Sequence, residues 1–377
     1  MSGVRHLYVH LPFCVHRCGY CDFVTVVGRR DEHRGYVDAL GAELALERGL
    51  LAPALDTVYL GGGTPSFTAP DELARLLHLL PRSPETTVEA NPETVTPDLA
   101  RLLAWLGVTR VSLGAQTFQA PLLAVLERRT TPDQVRAAVE TLREGGIANV
   151  SLDLVYGIPG QRPDDLERDL EAIVELAPEH VSAYELEAKA GTRFTHAHGA
   201  ELGRQAEAME GYAERVVEAL ESAGYRWYET ASFCLPRDAR GTVRDLRSRH
   251  NLAYWLGRDY LGLGIGAVST VAGRRWRTAP SLPGYVEALA AGRPAQRKVE
   301  ELPAATRARE RLMLGLRLDE PLPLADVAGA VDDGALRRLA EQGLVERGDG
   351  WIRLARRARL LGGAVTAELL ADDPEQG

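Results

Sequence analysis

The 377-residue sequence predicts a parallel α/β sheet closing toward a barrel or partial barrel, with a small helical and hairpin domain appended. Three observations carry this expectation. Strand and helix patterns alternate six times through the first half of the chain. Cysteines, glycines and isolated polar residues fall at or just after the ends of the predicted strands, where a barrel carries its functional loops. Near Glu201 the alternation stops and the pattern changes.

Residues 7–11 read as the first strand, followed by a loop holding Cys14, Cys18 and Cys21. Apolar residues at helical spacing follow over 36–50. Residues 57–60 form the second strand, ending in Gly61-Gly-Gly-Thr-Pro-Ser66. A helix over 71–80 leads to a third strand, 87–90, broken by Asn91-Pro92. The next helix starts near Asp98 and stops at Gly107, a common C-terminal signal. Strand four covers 110–114, a helix covers 132–144, strand five covers 150–156, Pro163 opens another helix, and strand six covers 180–187. Beyond that, one long helix is predicted over 204–223, a strand over 225–233, and a polar loop with Arg237, Arg240, Arg244, Arg247 and Arg249. The last stretch reads as helices at 304–316, 325–330 and 333–342, a hairpin over 344–354 turning at Gly348-Asp-Gly350, and a final helix. That shape is winged-helix-like, without a basic face for DNA.

The C-x₃-C-x₂-C spacing of Cys14, Cys18 and Cys21 is the most specific chemical signal. Thiolates this close can converge on one inorganic centre, and iron–sulfur clusters are held by such cysteines. A [4Fe–4S] cluster takes four ligands and this loop supplies three, leaving one iron open. Zinc is the competing reading, but structural zinc prefers four ligands and no second C-x₂-C is present. Cys234 stands alone and reads as an inert core thiol. With four cysteines, three of them in one loop, the chain is no disulfide scaffold and fits a reducing cytoplasm. The first strand begins too close to Met1 for a signal peptide, and no apolar run reaches the roughly 18 residues of a membrane span. A net charge of −9 argues against general nucleic-acid affinity.

Several isolated residues stand out against ordinary readings. Gly62, Gly63 and Thr64 lie in a turn that lets backbone approach a ligand. Glu89 and Asp153 are charges in strands that otherwise look buried, where an ion pair is the ordinary reading. Gln116 and Arg128 are less distinctive, and Arg128 could equally be a solvated charge. Tyr8 reads as a core aromatic or a ligand contact, and Tyr20 as a shield over the cysteine loop. His250 precedes Tyr254 and Trp255 and follows five arginines. Imidazole ligates haem iron, arginines suit propionates, and aromatics suit a flat macrocycle. His196 and His198 are alternative ligands, and His16 reads as solvent-facing.

Taken together, residues 8–23, Gly61-Gly-Gly-Thr-Pro-Ser66, Glu89-Ala-Asn-Pro92, Gly114-Ala-Gln-Thr-Phe118, Asp153-Leu-Val-Tyr-Gly-Ile-Pro-Gly-Gln161 and His250-Asn-Leu-Ala-Tyr-Trp255 resemble the HemN/HemW group of radical S-adenosylmethionine (SAM) proteins. The resemblance covers nearly the whole chain. It implies a partial (β/α)6 TIM-type barrel over 1–235, a connecting segment over 236–300, and a HemN-type domain over 301–377. It also implies a [4Fe–4S] cluster on Cys14, Cys18 and Cys21, and SAM held by Tyr8, Tyr20, Gly62, Gly63, Thr64, Glu89, Gln116, Arg128 and Asp153. Haem would be ligated by His250, with the arginines of 237–249 near its propionates.

Three features favour the HemW branch, whose members are haem chaperones. Phe23 stands where HemN has a fourth cysteine, the N-terminal extension of HemN is missing, and the His-Asn-x-x-Tyr-Trp motif is present. That branch further implies a cytoplasmic protein, haem delivery to proteins such as respiratory enzymes, and cluster-dependent dimerisation. The alternative is a radical SAM enzyme acting on a porphyrinogen, like the oxygen-independent coproporphyrinogen III oxidase. One departure is Val268, where HemW relatives commonly have a histidine, so His250 would have to work without it.

Overall fold

A computed structural model describes residues 3–189, 193–238 and 241–371. Six parallel strands pair in sequence order: β1 (His6–Leu11), β2 (Thr57–Gly62), β3 (Glu85–Ala90), β4 (Arg110–Gln116), β5 (Val150–Tyr156) and β6 (His180–Glu185). Between them lie α1 (His33–Glu47), α2 (Pro70–Leu79), α3 (Pro97–Trp105), α4 (Pro132–Glu144) and α5 (Pro163–Leu176). Four of these helices open on proline, which lacks the N–H that a first turn leaves unpaired. Thr96 caps α3, and Thr131 with Gln134 forms a capping box on α4.

The two-residue period of the strands divides their side chains. Leu7, Val9, Leu11, Val58, Leu60, Val111 and Leu113 are buried in the main core, which they share with Leu40, Leu73 and Leu103 of the helices. The other face turns into the barrel and is polar, with Tyr59, Glu89, Arg110, Ser112, Asp153 and Ser182 on it. Such an interior does not arise from core packing alone, because buried polar groups cost free energy unless partnered.

After β6 the chain departs from expectation in four places. The long helix expected over 204–223 is two helices, α6 (Arg193–Ala206) and α7 (Met209–Ser222). Their break at 207–208 is too short to disturb the apolar period. The strand expected over 225–233 is a hairpin of β7 (Arg226–Glu229) and β8 (Ser232–Cys234), without a glycine or proline to announce its turn. The Glu229 carboxylate accepts from Ala231 N–H and the Ser232 hydroxyl and holds that turn. His250 lies not on a loop but in the first turn of α8 (Arg249–Trp255), capped by Ser248. Finally, β9 (Leu261–Leu263) returns to pair in parallel with β1. The main sheet therefore runs β9-β1-β2-β3-β4-β5-β6-β8-β7 and does not close on itself. It is a partial barrel.

A three-stranded antiparallel sheet follows: β10 (Val268–Val271), β11 (Arg274–Thr278) and β12 (Arg297–Glu301). The C-terminal part has its own apolar cluster, including Leu312, Leu336, Leu339, Ile352 and Leu369. Its hairpin strands, Val345–Gly348 and Trp351–Leu354, are joined by a third short strand, Leu322–Pro323. Among the described residues no helix is long and apolar enough to cross a membrane.

Candidate functional site

A cavity of about 690 Å³ runs down the barrel from the cysteine loop. Cys14, Cys18 and Cys21 line it together with Tyr20. The turn after β2 contributes Gly62, Gly63 and Thr64, while Glu89, Gln116, Arg128 and Asp153 come from the walls. Eleven of the thirteen expected site residues thus share one space. Tyr8 and His250 do not line it.

The cysteine loop is seated by main-chain bonds. Gly63 N–H donates to Leu11 O at 2.8 Å and Thr64 N–H to Phe13 O at 2.9 Å. Hydrogen bonds then run from Arg128 toward Cys14. Arg128 donates to Asn91 Oδ1 at 2.9 Å, Asn91 donates to Thr64 Oγ1 at 3.1 Å, and Thr64 donates to the Cys14 sulfur at 3.5 Å. Arg128 also reaches Gly114 O and lies 3.6 Å from the Cys18 sulfur, while its Nε is buried without a partner. A guanidinium here favours negative sulfur. Burial opposes it, pushing Cys14 up to about 11 and raising Cys21. Binding of metal must therefore displace protons. Among the described residues no three His, Cys, Asp or Glu side chains are arranged to hold a single metal ion. The thiols of a cluster each bind a different iron, so facing one cavity is the arrangement a cluster needs. The donor set fits the group.

Glu89 accepts from Tyr59 O–H at 2.7 Å and from Gly62 N–H at 3.0 Å. It thereby fixes the end of β2, and burial raises its carboxyl. Gln116 adopts a left-handed φ of 64° beside a bulge against β5. Such strain in a non-glycine residue concentrates at functional sites. The loop after β4 is anchored from behind by Asp169, which accepts from Thr117 O–H and Phe118 N–H, both at 2.7 Å. Asn91, Tyr59 and Asp169 were not singled out by sequence. Asn91 carried a signal nonetheless, as the residue that ends β3 before a proline.

Asp153 is held by the Ser112 hydroxyl at 3.3 Å, and burial followed by repulsion from Glu89 pushes it up to about 7. Its ordinary value is 3.8, so the folded state retains a proton that the unfolded chain has released. Stability falls as pH rises between those values and levels off above them. Asp153→Asn is expected to raise Tm by several degrees at about pH 8, and the gain should vanish near pH 4. A Tm series across that range checks it.

Tyr8 sits behind the wall, its hydroxyl 3.1 Å from His10 Nδ1. His250 is buried, 1% exposed, with Nδ1 at 2.8 Å from Thr57 Oγ1 and Nε2 at 2.9 Å from Tyr254 O–H. Its ring stacks on Tyr59 at 5.0 Å, and burial lowers its pKa to about 3. Glu85 accepts the N–H groups of Arg249 and His250, so α8 is docked against the start of β3. In this conformation neither ring nitrogen is available to iron. Three of the neighbouring arginines are also engaged. Arg237 donates to Gly241 O, Arg244 pairs with Asp238, and Arg247 pairs with Asp245 and Glu320. Arg240 lies outside the described residues. His16, expected to face solvent, is within reach of Glu127 O at 2.9 Å and lines the cavity. His196 is exposed on α6, and His198 packs on Phe194.

Comparison with known proteins yields two family models, the Radical SAM superfamily over residues 8–173 and the HemN C-terminal domain over 302–361. The heme chaperone HemW of Mycobacterium tuberculosis is 37% identical, covering 97% of this chain and 94% of that protein. Its Bacillus subtilis counterpart is 30% identical, covering 98% and 100%, and that of Escherichia coli is 32% identical, covering 72% of each. Among solved structures, coproporphyrinogen III oxidase (HemN) from Escherichia coli, a radical SAM enzyme, superposes with a TM-score of 0.80 at 22% identity. It covers 97% of this chain and 90% of that one, a likeness of fold.

Proposed function

Because the chain belongs to the HemW family of radical SAM proteins, we propose that it is a haem chaperone carrying a SAM-ligated [4Fe–4S] cluster. The observation that carries this is the single cavity shared by three thiols and the Gly62–Thr64 turn. Cys14, Cys18 and Cys21 hold the cluster. Gly62, Gly63, Thr64, Glu89, Gln116, Arg128 and Asp153 surround SAM, with Tyr20 beside them. When bound, that pair supplies one-electron chemistry. The chain's own part is to exclude water with Tyr20, to place the Arg128 charge beside sulfur, and to fix the glycine turn through Glu89. Delivery of haem to haem proteins such as respiratory enzymes, in the cytoplasm and as a dimer, completes the proposal.

Haem ligation by His250 requires α8 to unseat, breaking the bonds to Thr57 and Tyr254. Haem titration of the anaerobically reconstituted wild type is expected to give a slow, stoichiometric Soret shift that weakens at least tenfold in His250→Ala. Equal binding by the two proteins removes His250 as the ligand. Absence of haem binding in the wild type removes the chaperone assignment, and anaerobic conversion of coproporphyrinogen III to a vinyl product would transfer it to catalysis.

A further inference from the structure

The deep half of the cavity contains a charge that the cofactor site does not use. Arg110 opens β4 on its inward face and lines the cavity, yet is only 2% exposed. Its hydrogen bond to Asn149 Oδ1, at 3.1 Å, leaves Nε buried without a partner. Thr87 is the register partner of Arg110 on β3, is fully buried, and has an unpartnered hydroxyl. Two neighbouring donors are thus unsatisfied, the cationic Arg110 on the cavity wall and the Thr87 hydroxyl beside it, off the wall.

Two acids, Glu85 and Asp153, lie within electrostatic reach of Arg110, but among the described residues neither forms an ion pair or hydrogen bond with it. Glu85 accepts two backbone N–H groups of α8, and Asp153 accepts from Ser112. The other arginine at this end, Arg317, is paired with Glu229 at 2.6 Å and lies over the Trp255 ring. At this end Arg110 is therefore the cation without a direct ion pair among the described residues. A buried guanidinium is costly without an anion, and its planar fork matches a carboxylate.

We propose that the deep end of the cavity is a carboxylate subsite, where Arg110, with Thr87 beside it, receives an acidic side arm of the bound ligand. It deepens the haem assignment and rests on it, since haem carries two propionates. An esterified macrocycle of the same shape would offer a neutral carbonyl in place of a carboxylate, so the subsite discriminates by charge.

The test compares haemin with haemin dimethyl ester, titrated into the reconstituted full chain and followed at the Soret band. The wild type should prefer the free acid by about tenfold, Arg110→Gln should bring the ratio near one, and Arg110→Lys should keep part of it. Thr87→Val, which preserves shape, should reduce the ratio several-fold, and it decides the matter should Arg110→Gln fail to fold. A wild-type ratio near one overturns the subsite, as does an undiminished ratio in a folded Arg110→Gln or, in its stead, in Thr87→Val. If the wild type binds no haemin, the same variants are titrated with coproporphyrin III by fluorescence. Arg110-dependent binding of that tetra-acid upholds the subsite while the haem assignment falls, and no binding of it overturns the subsite.

Discussion

Cys14→Ala, Cys18→Ala and Cys21→Ala, each reconstituted anaerobically with iron and sulfide, are expected to lose nearly all of the broad visible iron–sulfur absorbance, whereas Cys234→Ala keeps it. Alanine supplies no sulfur, and a cluster held by three thiolates has no spare ligand to recruit. Cys234 cannot substitute, because it is buried in a separate apolar group with Tyr228, Leu246, Leu252 and Leu318. Its thiol is pushed up to about 11 by burial, which keeps it protonated and inert. Loss of absorbance in Cys234→Ala would make it the fourth ligand and close the iron that SAM needs. The same spectra, taken at equal protein concentration, thus test both the ligand set and the open coordination position.

Second in size is the response of the glycine turn to a single methyl group. A Cβ on Gly62 would lie 2.4 Å from the His10 ring, at a φ of +113° that side chains rarely adopt. On Gly63 it would lie 2.6 Å from the Pro12 carbonyl, which is backbone and cannot swing aside. Pro12 belongs to the same segment that seats Cys14, so relief of the clash displaces the cysteine loop. Gly62→Ala and Gly63→Ala are each expected to cost about 3 kcal/mol or more, from overpacking and backbone strain together. Gly35→Ala, in α1 with nothing within 4 Å of its Cβ, is the matched control and should gain up to about 1 kcal/mol. Thermal unfolding of the three variants checks the contrast. A Gly63→Ala protein as stable as Gly35→Ala would show that the turn does not press on the cysteine loop.

Sequence was most informative where local signals and global topology agree. The helix expected over 132–144 is reproduced, opened by a capping box of Thr131 and Gln134, and the pattern of Val150 to Tyr156 marked a strand. The cysteines, Gly62 and Glu89 were legible because each sits at or just after the C-terminal end of a strand, and Asp153 because a charge in the middle of an apolar strand stands out. His250 was misplaced for the opposite reason. Its arginine-rich approach looks like solvent-exposed loop, and only tertiary partners far away in sequence, Thr57 and Glu85, draw the histidine inside. Tyr8 shows the limit of period-two reasoning. It faces inward as expected, but Tyr59, stacked on it at 6.1 Å, takes the cavity wall. Arg110 left no trace in sequence, because a charge at a strand start is ordinary until its partners are seen.

The pairing of β9 with β1 also sets a timetable for synthesis. The strand that leads into the cysteine loop ends at Leu11, but its outer neighbour begins only at Leu261. At translation rates of about 5–20 residues per second, on the order of ten to fifty seconds separate the two on the ribosome. Throughout that interval the outer edge of β1 has no native strand to pair with, and unpaired edges invite the wrong neighbour. Metal loaded onto a nascent chain would meet a cysteine loop whose supporting strand is held from one side only. The fold thus ties maturation of its first twenty residues to the emergence of its last third.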